Sequence, residues 1–281
     1  LNNSAYPERL KKIYDPPPIL YIKGEIKKED ENAIAIVGAR NATTYGRTVT
    51  ERLSSELVSY GYTIVSGMAR GIDTFAHQGA MTAGGRTIAV LGSGIDIIYP
   101  PDNRELAGKI AKNGAVISEF DPGTPPEKIN FPKRNRIISG ISAGVLVIEA
   151  SNDSGSLITA NAALEQGREV FAIPGNINSR NSSGTNGLIK KGAKLVENID
   201  DILEELLPQL AKREVGMLNK ERCNLSGEEE LICKFILCEP RHIDEITFGS
   251  GLPSSRVSTI LLDLELKGAV RQLDGNLYIK R

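Results

Sequence analysis

Seven short apolar runs recur through residues 34–196 of this 281-residue chain, and several end in a glycine- or serine-rich turn before a helical pattern begins. The runs fall at residues 34–37, 62–65, 87–91, 115–117, 145–148, 169–173 and 194–196. The clearest intervening helix spans residues 46–60, where Val49, Leu53, Leu57 and Val58 share one face and Gly61 supplies a stop signal. Consecutive parallel strands need a crossover, and helical crossovers cover the sheet, so the pattern predicts an α/β fold with a mostly parallel sheet and helices on both faces.

At 40% apolar content the chain can bury one sizeable core and a smaller one. Residues 1–31 read as an N-terminal extension rich in proline and charge, and residues 32–207 hold the strand-helix alternation. Pro208 is expected to end a helix, and the polar, aperiodic stretch after it makes 208–223 a linker. In residues 224–281, helical patterns at 228–237, 242–248 and 253–266 precede two strands flanking Asp274-Gly275-Asn276, a strong hairpin turn. Three helices and a hairpin predict a small C-terminal winged-helix domain.

No apolar stretch reaches the roughly 20 residues of a membrane-spanning helix, and residues 1–10 carry no signal-peptide pattern, so a cytoplasmic location is expected. Cys223, Cys233 and Cys238 match no zinc spacing, and their odd number argues against a disulfide framework. They read as reduced thiols, with no metal and no cofactor expected. The 34 Lys and Arg nearly cancel the 35 Asp and Glu, so any nucleic-acid site must be a local patch.

One such patch is Phe131-Pro132-Lys133-Arg134-Asn135-Arg136, which opens a helix. Loops that follow parallel strands collect at one sheet edge, so these cations should face the turns Gly38-Ala39-Arg40, Ser66-Gly67-Met68-Ala69-Arg70-Gly71, Gly92-Ser93-Gly94 and Ser154-Gly155-Ser156 across one crevice. Glycine lets backbone N–H groups approach an anion, and a following helix N-terminus adds favourable partial charge. Alternatively, each glycine only permits a tight strand-to-helix turn. A P-loop is absent, since Gly108-Lys109 is followed by Ile110, and Ile97 stands where a dinucleotide fingerprint has its third glycine.

Arg40 and Arg70 should reach the crevice beside Lys133, Arg134 and Arg136. The competing reading pairs Arg134 or Arg136 with Asp73, Asp96 or Glu119 as an internal brace; two residues apart, the two arginines cannot share a helix face, so at least one should brace. Phe131 can stack on an unpaired base or serve as a helix-entry staple, the second being the commoner role. His77, four residues after Asp73, reads as a helix brace, because no nucleophile is tied to it. Asp96, Glu119 and Glu149 stand near strand ends without the spacing of a hydrolytic pair.

Together these residues resemble the DNA-processing protein A family (DprA, also called Smf) over nearly the whole chain. The likeness rests on Val37-Gly38-Ala39-Arg40; Ser66-Gly67-x-Ala69-x-Gly71-Ile72-Asp73-x-x-Ala76-His77; Gly92-x-Gly94-x-Asp96-x-x-Tyr99-Pro100; Ser118-Glu119; Arg134-Asn135-Arg136-Ile137-Ile138-Ser139-Gly140; Glu149-Ala150; and Ser154-Gly155-Ser156-Leu157-Ile158-Thr159-Ala160 through Gly167-Arg168 to Pro174-Gly175. The resemblance implies an extended Rossmann-like domain that binds single-stranded DNA and loads the RecA recombinase during natural transformation, the recombination step of competence, with no catalytic chemistry. It implies phosphate-facing positions at Arg40, Ser66, Gly67, Lys133, Arg134, Asn135, Arg136, Ser154, Gly155 and Ser156, and the crevice reading adds Gly38, Arg70 and Phe131 as expected DNA-binding residues.

Many members carry an N-terminal helical domain, for which the residues before the first strand are too few. The C-terminal unit is more acidic than basic and its recognition helix offers mainly Arg256, so a protein-contact or packing role is expected there. Small pockets each hold few phosphates, so firm coverage of a strand should need a homodimer. If one protomer neutralises roughly 3 to 5 phosphates, log K should fall with log salt at a slope of about −2 to −3.5. The rival reading is a hydrolase of the nucleotide phosphoribohydrolase type, whose Pro-Gly-Gly-x-Gly-Thr motif is followed by a helix carboxylate. Here Ser154-Gly155-Ser156-Leu157-Ile158-Thr159 has no acid until Glu165.

Overall fold

The computed structural model describes residues 6–210, 228, 231, 232, 235, 236, 241–266, 270–273 and 275–280. It divides into two compact units, Leu1–Val215 and Gly216–Arg281. In the first, elements run α1 (Glu8–Lys11), β1 (Tyr21–Gly24), β2 (Ala33–Val37), α2 (Thr44–Ser59), β3 (Thr63–Ser66), α3 (Ile72–Thr82), β4 (Thr87–Val90), α4 (Arg104–Asn113), β5 (Ala115–Ser118) and α5 (Asn130–Ile141). They continue with β6 (Gly144–Val147), α6 (Gly155–Glu165), β7 (Glu169–Ala172), α7 (Arg180–Lys190), β8 (Lys194–Leu195) and α8 (Asp200–Leu210). Sheet order is β1-β5-β4-β3-β2-β6-β7-β8, parallel throughout except for β1 against β5.

Both sheet faces are apolar, as a parallel sheet covered by crossovers requires. Ala33, Ala35, Val37, Val90, Ile117 and Val145 pack beneath α1, α5 and α6, while Ile34, Ile36, Ile64, Leu146 and Phe171 pack beneath α2, α3 and α8. Ala89, Leu91 and Val116 meet Ala107 and Ile110 of α4. All seven expected strands form. The eighth, β1, lies in the stretch read as an extension and pairs Tyr21 with Ser118 and Gly24 with Ala115. Tyr6, Leu10 and Ile13 enter the core, so residues 6–31 are built into the first unit. Helix α8 continues past Pro208 to Leu210, because a proline that near a helix end forfeits only one backbone bond in a fraying turn.

Two features of this topology position a site. The chain steps outward from β2 through β3 and β4 to β5, then returns to place β6 on the other side of β2, with Val37 opposite Val147. The C-terminal ends of β2 and β6 therefore flank a switch point, where open α/β sheets bind ligands. The returning helix α5 crosses β4, β3 and β2 and packs against α6. Pro132 is accommodated in its first turn, where N–H groups have no intrahelical partner.

In the second unit, β9 (Arg241–His242), α9 (Ile243–Ser250), α10 (Ser254–Leu266), β10 (Val270–Leu273) and β11 (Leu277–Lys280) surround Ile232, Ile236, Ile246, Val257, Leu261 and Val270. The sheet order is β10-β11-β9, so the expected hairpin gains a short third strand. Glu228, Leu231, Ile232 and Phe235 are helical; the other residues of that expected helix, linker residues 211–223, Asp274 and all three cysteines lie outside the described residues. No helix among the described residues is long and apolar enough to cross a membrane.

Candidate nucleic-acid interface

The loop after β2 is fixed from two sides. Gly71 begins α3 at φ +77°, and a Cβ there would lie 2.3 Å from the Ala39 carbonyl oxygen, so only glycine lets the loop after β3 rest on the backbone of Ala39 and Arg40. From the other side comes Glu149, buried at the end of β6, whose carboxylate accepts from Thr43 N (2.9 Å) and Thr43 Oγ1 (2.5 Å). Thr43 caps α2 by accepting from Gly46 N. The switch-point carboxylate thus anchors the loop that presents Arg40. Gly38 serves packing, since a Cβ would stand 2.7 Å from Ile72 Cγ1.

Below this loop, the cationic helix divides its work. Arg134 is 5% exposed, and its Nη1 donates to the carbonyls of Gly67 and Val90 at the ends of β3 and β4. Buried Asp73, in the first turn of α3, accepts from Gly67 N (3.1 Å) and Ala69 N (3.3 Å). Burial pushes the Asp73 carboxyl above the usual carboxylate range, against the opposing pull of Arg134 and these amides. Burial also lowers Arg134 to about 10, with Asp73 opposing, which leaves it charged at neutral pH.

Three residues expected at phosphate, Ser66, Gly67 and Arg134, have partners within the protein. The Ser66 hydroxyl donates to Ile36 O (2.6 Å), the Gly67 amide serves Asp73, and the Arg134 guanidinium closes the cleft floor because burial makes carbonyl and carboxylate partners obligatory. Arg136 is held likewise: it pairs with Glu119 (2.5 Å) and Asp15 (3.4 Å), tying α5 to the end of β5 and to the N-terminal segment. Glu119 is raised by burial, with Arg136 opposing. Both arginines brace. Asn135 is buried too, and its Nδ2 donates to Gly155 O (3.3 Å), joining α5 to the start of α6.

What remains open is a small group of exposed side chains. The Arg40 guanidinium is exposed, makes no ion pair among the described residues, and lies 5.6 Å from the Phe131 ring centroid. Arg134 approaches the same ring at 5.9 Å, and the Tyr99 ring stands 5.9 Å away, tilted 40°. Phe131 is not a staple: it sits inside α5, and Gly92 leaves room for its ring, since a Cβ would fall 2.8 Å from Cδ1. With Gly67 and Arg70 these residues line a cleft of about 60 Å³, far below the roughly 300–1,000 Å³ of a small-molecule pocket. Such a cleft admits part of a larger ligand.

Arg70 reaches this cleft, paired with Asp102 (2.7 Å). Lys133 is exposed and acts electrostatically on Glu119. Ser154 caps α6, its Oγ accepting from Ser156 N (3.3 Å) and lying 2.7 Å from Ser156 Oγ. Gly155 is exposed, with open space where a Cβ would stand. The structure therefore joins Arg40, Phe131, Asn135 and the Ser154 turn through one helix.

Among the four small-residue loops, the packing reading holds for Gly38, Gly67 and Gly92, and only Gly155 faces solvent. Asp96 accepts from Gly123 N (2.9 Å), so Asp96 and Glu149 anchor two different loops while Glu119 holds Arg136 of α5. His77 braces as expected, its Nδ1 2.7 Å from Thr87 Oγ1. That hydroxyl donates to Ile64 O, so Nδ1 carries the proton, and burial drives the imidazole down to about 3. Sequence reasoning gave no role to Tyr99 or Asp102; a tyrosine-proline pair after a glycine turn was the available signal for the first.

The sequence profile of the DNA recombination-mediator protein A family matches residues 1–207, and that of the DprA winged helix domain matches residues 220–276. The chain belongs to this family. DNA processing protein DprA of Bacillus subtilis is 47% identical over 207 residues, covering 73% of this chain and 70% of that protein. Protein Smf of Escherichia coli is 41% identical over 286 residues, covering 99% and 76%. Among solved structures, DprA of Streptococcus pneumoniae superposes with a TM-score of 0.69 at 45% identity, covering 72% of this chain and 71% of that one. DprA of Helicobacter pylori, whose structure addresses its single-stranded DNA binding mode, gives 0.67 at 34% identity, covering 74% and 95%. The cleft described above lies within the part of the chain that the DprA profile matches.

Proposed function

We propose that this DprA-family protein captures single-stranded DNA at the cleft beside Phe131, without sequence preference, and passes it to the RecA recombinase in the cytoplasm during natural transformation. The observation that carries this reading is Arg40, a solvent-exposed guanidinium without a carboxylate partner among the described residues, poised over an aromatic ring. Single-strand binding combines backbone cations with ring faces on which unpaired bases stack. Arg40 and Lys133 neutralise phosphates, the exposed start of α6 offers backbone N–H groups, and Phe131 with Tyr99 supplies the apolar face. The single-stranded DNA binding mode of the Helicobacter pylori relative supports the same ligand class.

Binding is proposed to involve no covalent step and no cofactor. The strand-end carboxylates that a hydrolase would use each hold a loop or a cation instead. One cleft grips few phosphates, so two protomers act together on a strand. In the winged helix, α10 carries Arg256 as its one cation against Asp263 and Glu265, a balance that favours a protein-contact role for that unit over duplex reading.

Fluorescence anisotropy with labelled single-stranded and duplex oligonucleotides tests the capture step. Single strands should bind at least about tenfold tighter, and Arg40→Ala should weaken them by about tenfold, the scale of one charge-assisted hydrogen bond. Equal affinity for both forms, or an Arg40→Ala protein that binds unchanged, refutes it. Recombinase transfer is read as faster RecA-dependent ATP hydrolysis on single strands coated with single-strand binding protein. No acceleration refutes that part.

A further inference from the structure

Arg70 lines the cleft, yet its guanidinium already holds a carboxylate. Asp102 Oδ2 accepts from both Arg70 Nε (3.0 Å) and Nη2 (2.7 Å). Both side chains are about two-thirds exposed, at 65% and 67%. Exposed pairs of this kind are weak, favouring the closed form by a factor of only roughly two to five.

The backbone beneath them is not loose. Asp102 lies in a short 3₁₀ turn, Pro101–Asn103, and the next residue, Asn103, is buried with Nδ2 donating to Met68 O (2.8 Å) and Thr74 Oγ1 (2.9 Å). Met68 is fully buried at φ +61° and fixes the loop that ends in Arg70. One bridging amide therefore sets the spacing between the two loops, and the ion pair spans their exposed rims.

We infer that Asp102 is an internal competitor for DNA phosphate, a carboxylate on the cleft rim that withholds Arg70 until a phosphate displaces it. The inference rests on the proposed capture of single-stranded DNA at this cleft. The guanidinium fork offers parallel donors, and here both converge on one oxygen of Asp102. A phosphate presents two oxygens to the same fork, a better match. Arg40 lines the same cleft and attracts the incoming anion. Asp102 thus lowers affinity by competing for Arg70 before DNA binds, which keeps the grip on DNA releasable.

The test is anisotropy of a fluorescein-labelled oligothymidine across a salt series, using the full chain and the variants Asp102→Asn, Arg70→Ala, Asp102→Asn with Arg70→Ala, and Arg40→Ala. Asp102→Asn should bind roughly threefold tighter, within the factor by which the ion pair favours the closed form, and the gain should shrink at high salt, where that exposed pair is screened. The gain should vanish in the double variant. If Asp102→Asn binds no tighter while Arg40→Ala binds weakly, the competitor role is wrong and the cleft reading stands. If the gain persists without Arg70, Asp102 acts through general repulsion and the inference fails. If the parent protein does not bind the oligonucleotide, the capture reading falls and takes this one with it. Circular dichroism of each variant at the assay temperature, expected to match the parent, guards against lost folding being read as lost contact.

Discussion

Gly67→Ala is the sharpest probe of the cleft floor. The new Cβ would lie 2.6, 2.7 and 2.8 Å from Nη1, Cζ and Nη2 of Arg134. On the surface a long side chain would swing aside at little cost, but this one is 5% exposed and bonded to two strand-end carbonyls. Hydrogen bonds from a charged group contribute about 1.5–3 kcal/mol each, and those to the two carbonyls would be disrupted. Partial rehydration of the expelled guanidinium offsets some of this, so a loss of about 3 kcal/mol is expected. For a unit of this size that corresponds to a fall in Tm of about 6–12 °C, read by circular dichroism melting. The decisive comparison is a double-mutant cycle. Arg134→Leu alone should destabilise by about 3–5 kcal/mol, because Asp73 loses its cation. Adding Gly67→Ala to it should cost little, since the clashing group is gone. A Gly67→Ala protein melting within about 2 °C of the parent, or effects that simply add, would refute the reasoning.

Gly71→Ala should displace the loop carrying Arg40, because its Cβ would meet the Ala39 and Arg40 carbonyl oxygens at 2.3 and 2.4 Å. Oligonucleotide affinity should fall by about tenfold, as for loss of Arg40 itself, and unchanged anisotropy would count against the proposed site. His77 titrates near 6.5 when unfolded and at about 3 when folded, so the unfolded chain binds the extra proton between those values. Stability should therefore decline as pH falls below 6.5, at up to about 1.4 kcal/mol per pH unit from this group. His77→Asn, which keeps a donor toward Thr87, should flatten that limb in denaturant titrations at pH 4.5–6.5.

The sheet was legible because its signal is local and repeated. Strands β2 to β6 are short, largely apolar runs buried along their whole length, and each is followed by a turn whose residues change character. Strand β1 escaped notice because it has only Tyr21 and Ile22 as apolar residues, with Ile22 38% exposed, and its reality depends on β5, nearly one hundred residues away. The site was legible in outline for the same reason: strand-end loops converge, so Arg40, Phe131 and the Ser154 turn come together. The division of labour among the cations was not legible. Nothing in Lys133-Arg134-Asn135-Arg136 says which side chain faces inward; that follows from α5 crossing the sheet so that Arg134 meets the ends of β3 and β4 while Arg136 meets Glu119. Glycine was ambiguous for a related reason. A missing Cβ at Gly67 looks the same in sequence whether it admits a phosphate or, as here, the protein's own guanidinium.

This division changes the electrostatics expected of the interface. Counting Arg40, Arg70, Lys133, Arg134 and Arg136 as phosphate ligands gives the steep end of the slope anticipated from sequence. Removing the buried Arg134 and the paired Arg136 leaves two exposed cations, Arg40 and Lys133, plus Arg70 when it releases Asp102. Two to three phosphates on a single strand give a log K against log salt slope of about −1.4 to −2.1 per protomer. Two protomers on one strand would double it, so the slope should be measured on oligonucleotides of increasing length and should step upward once both copies engage. A short oligonucleotide bound by one protomer with a slope steeper than about −3 would mean that Arg134 or Arg136 abandons its internal partners for DNA. Those partners are carbonyls at the ends of β3 and β4 and the Glu119 carboxylate, so that outcome would require the loops around the cleft to rearrange on binding.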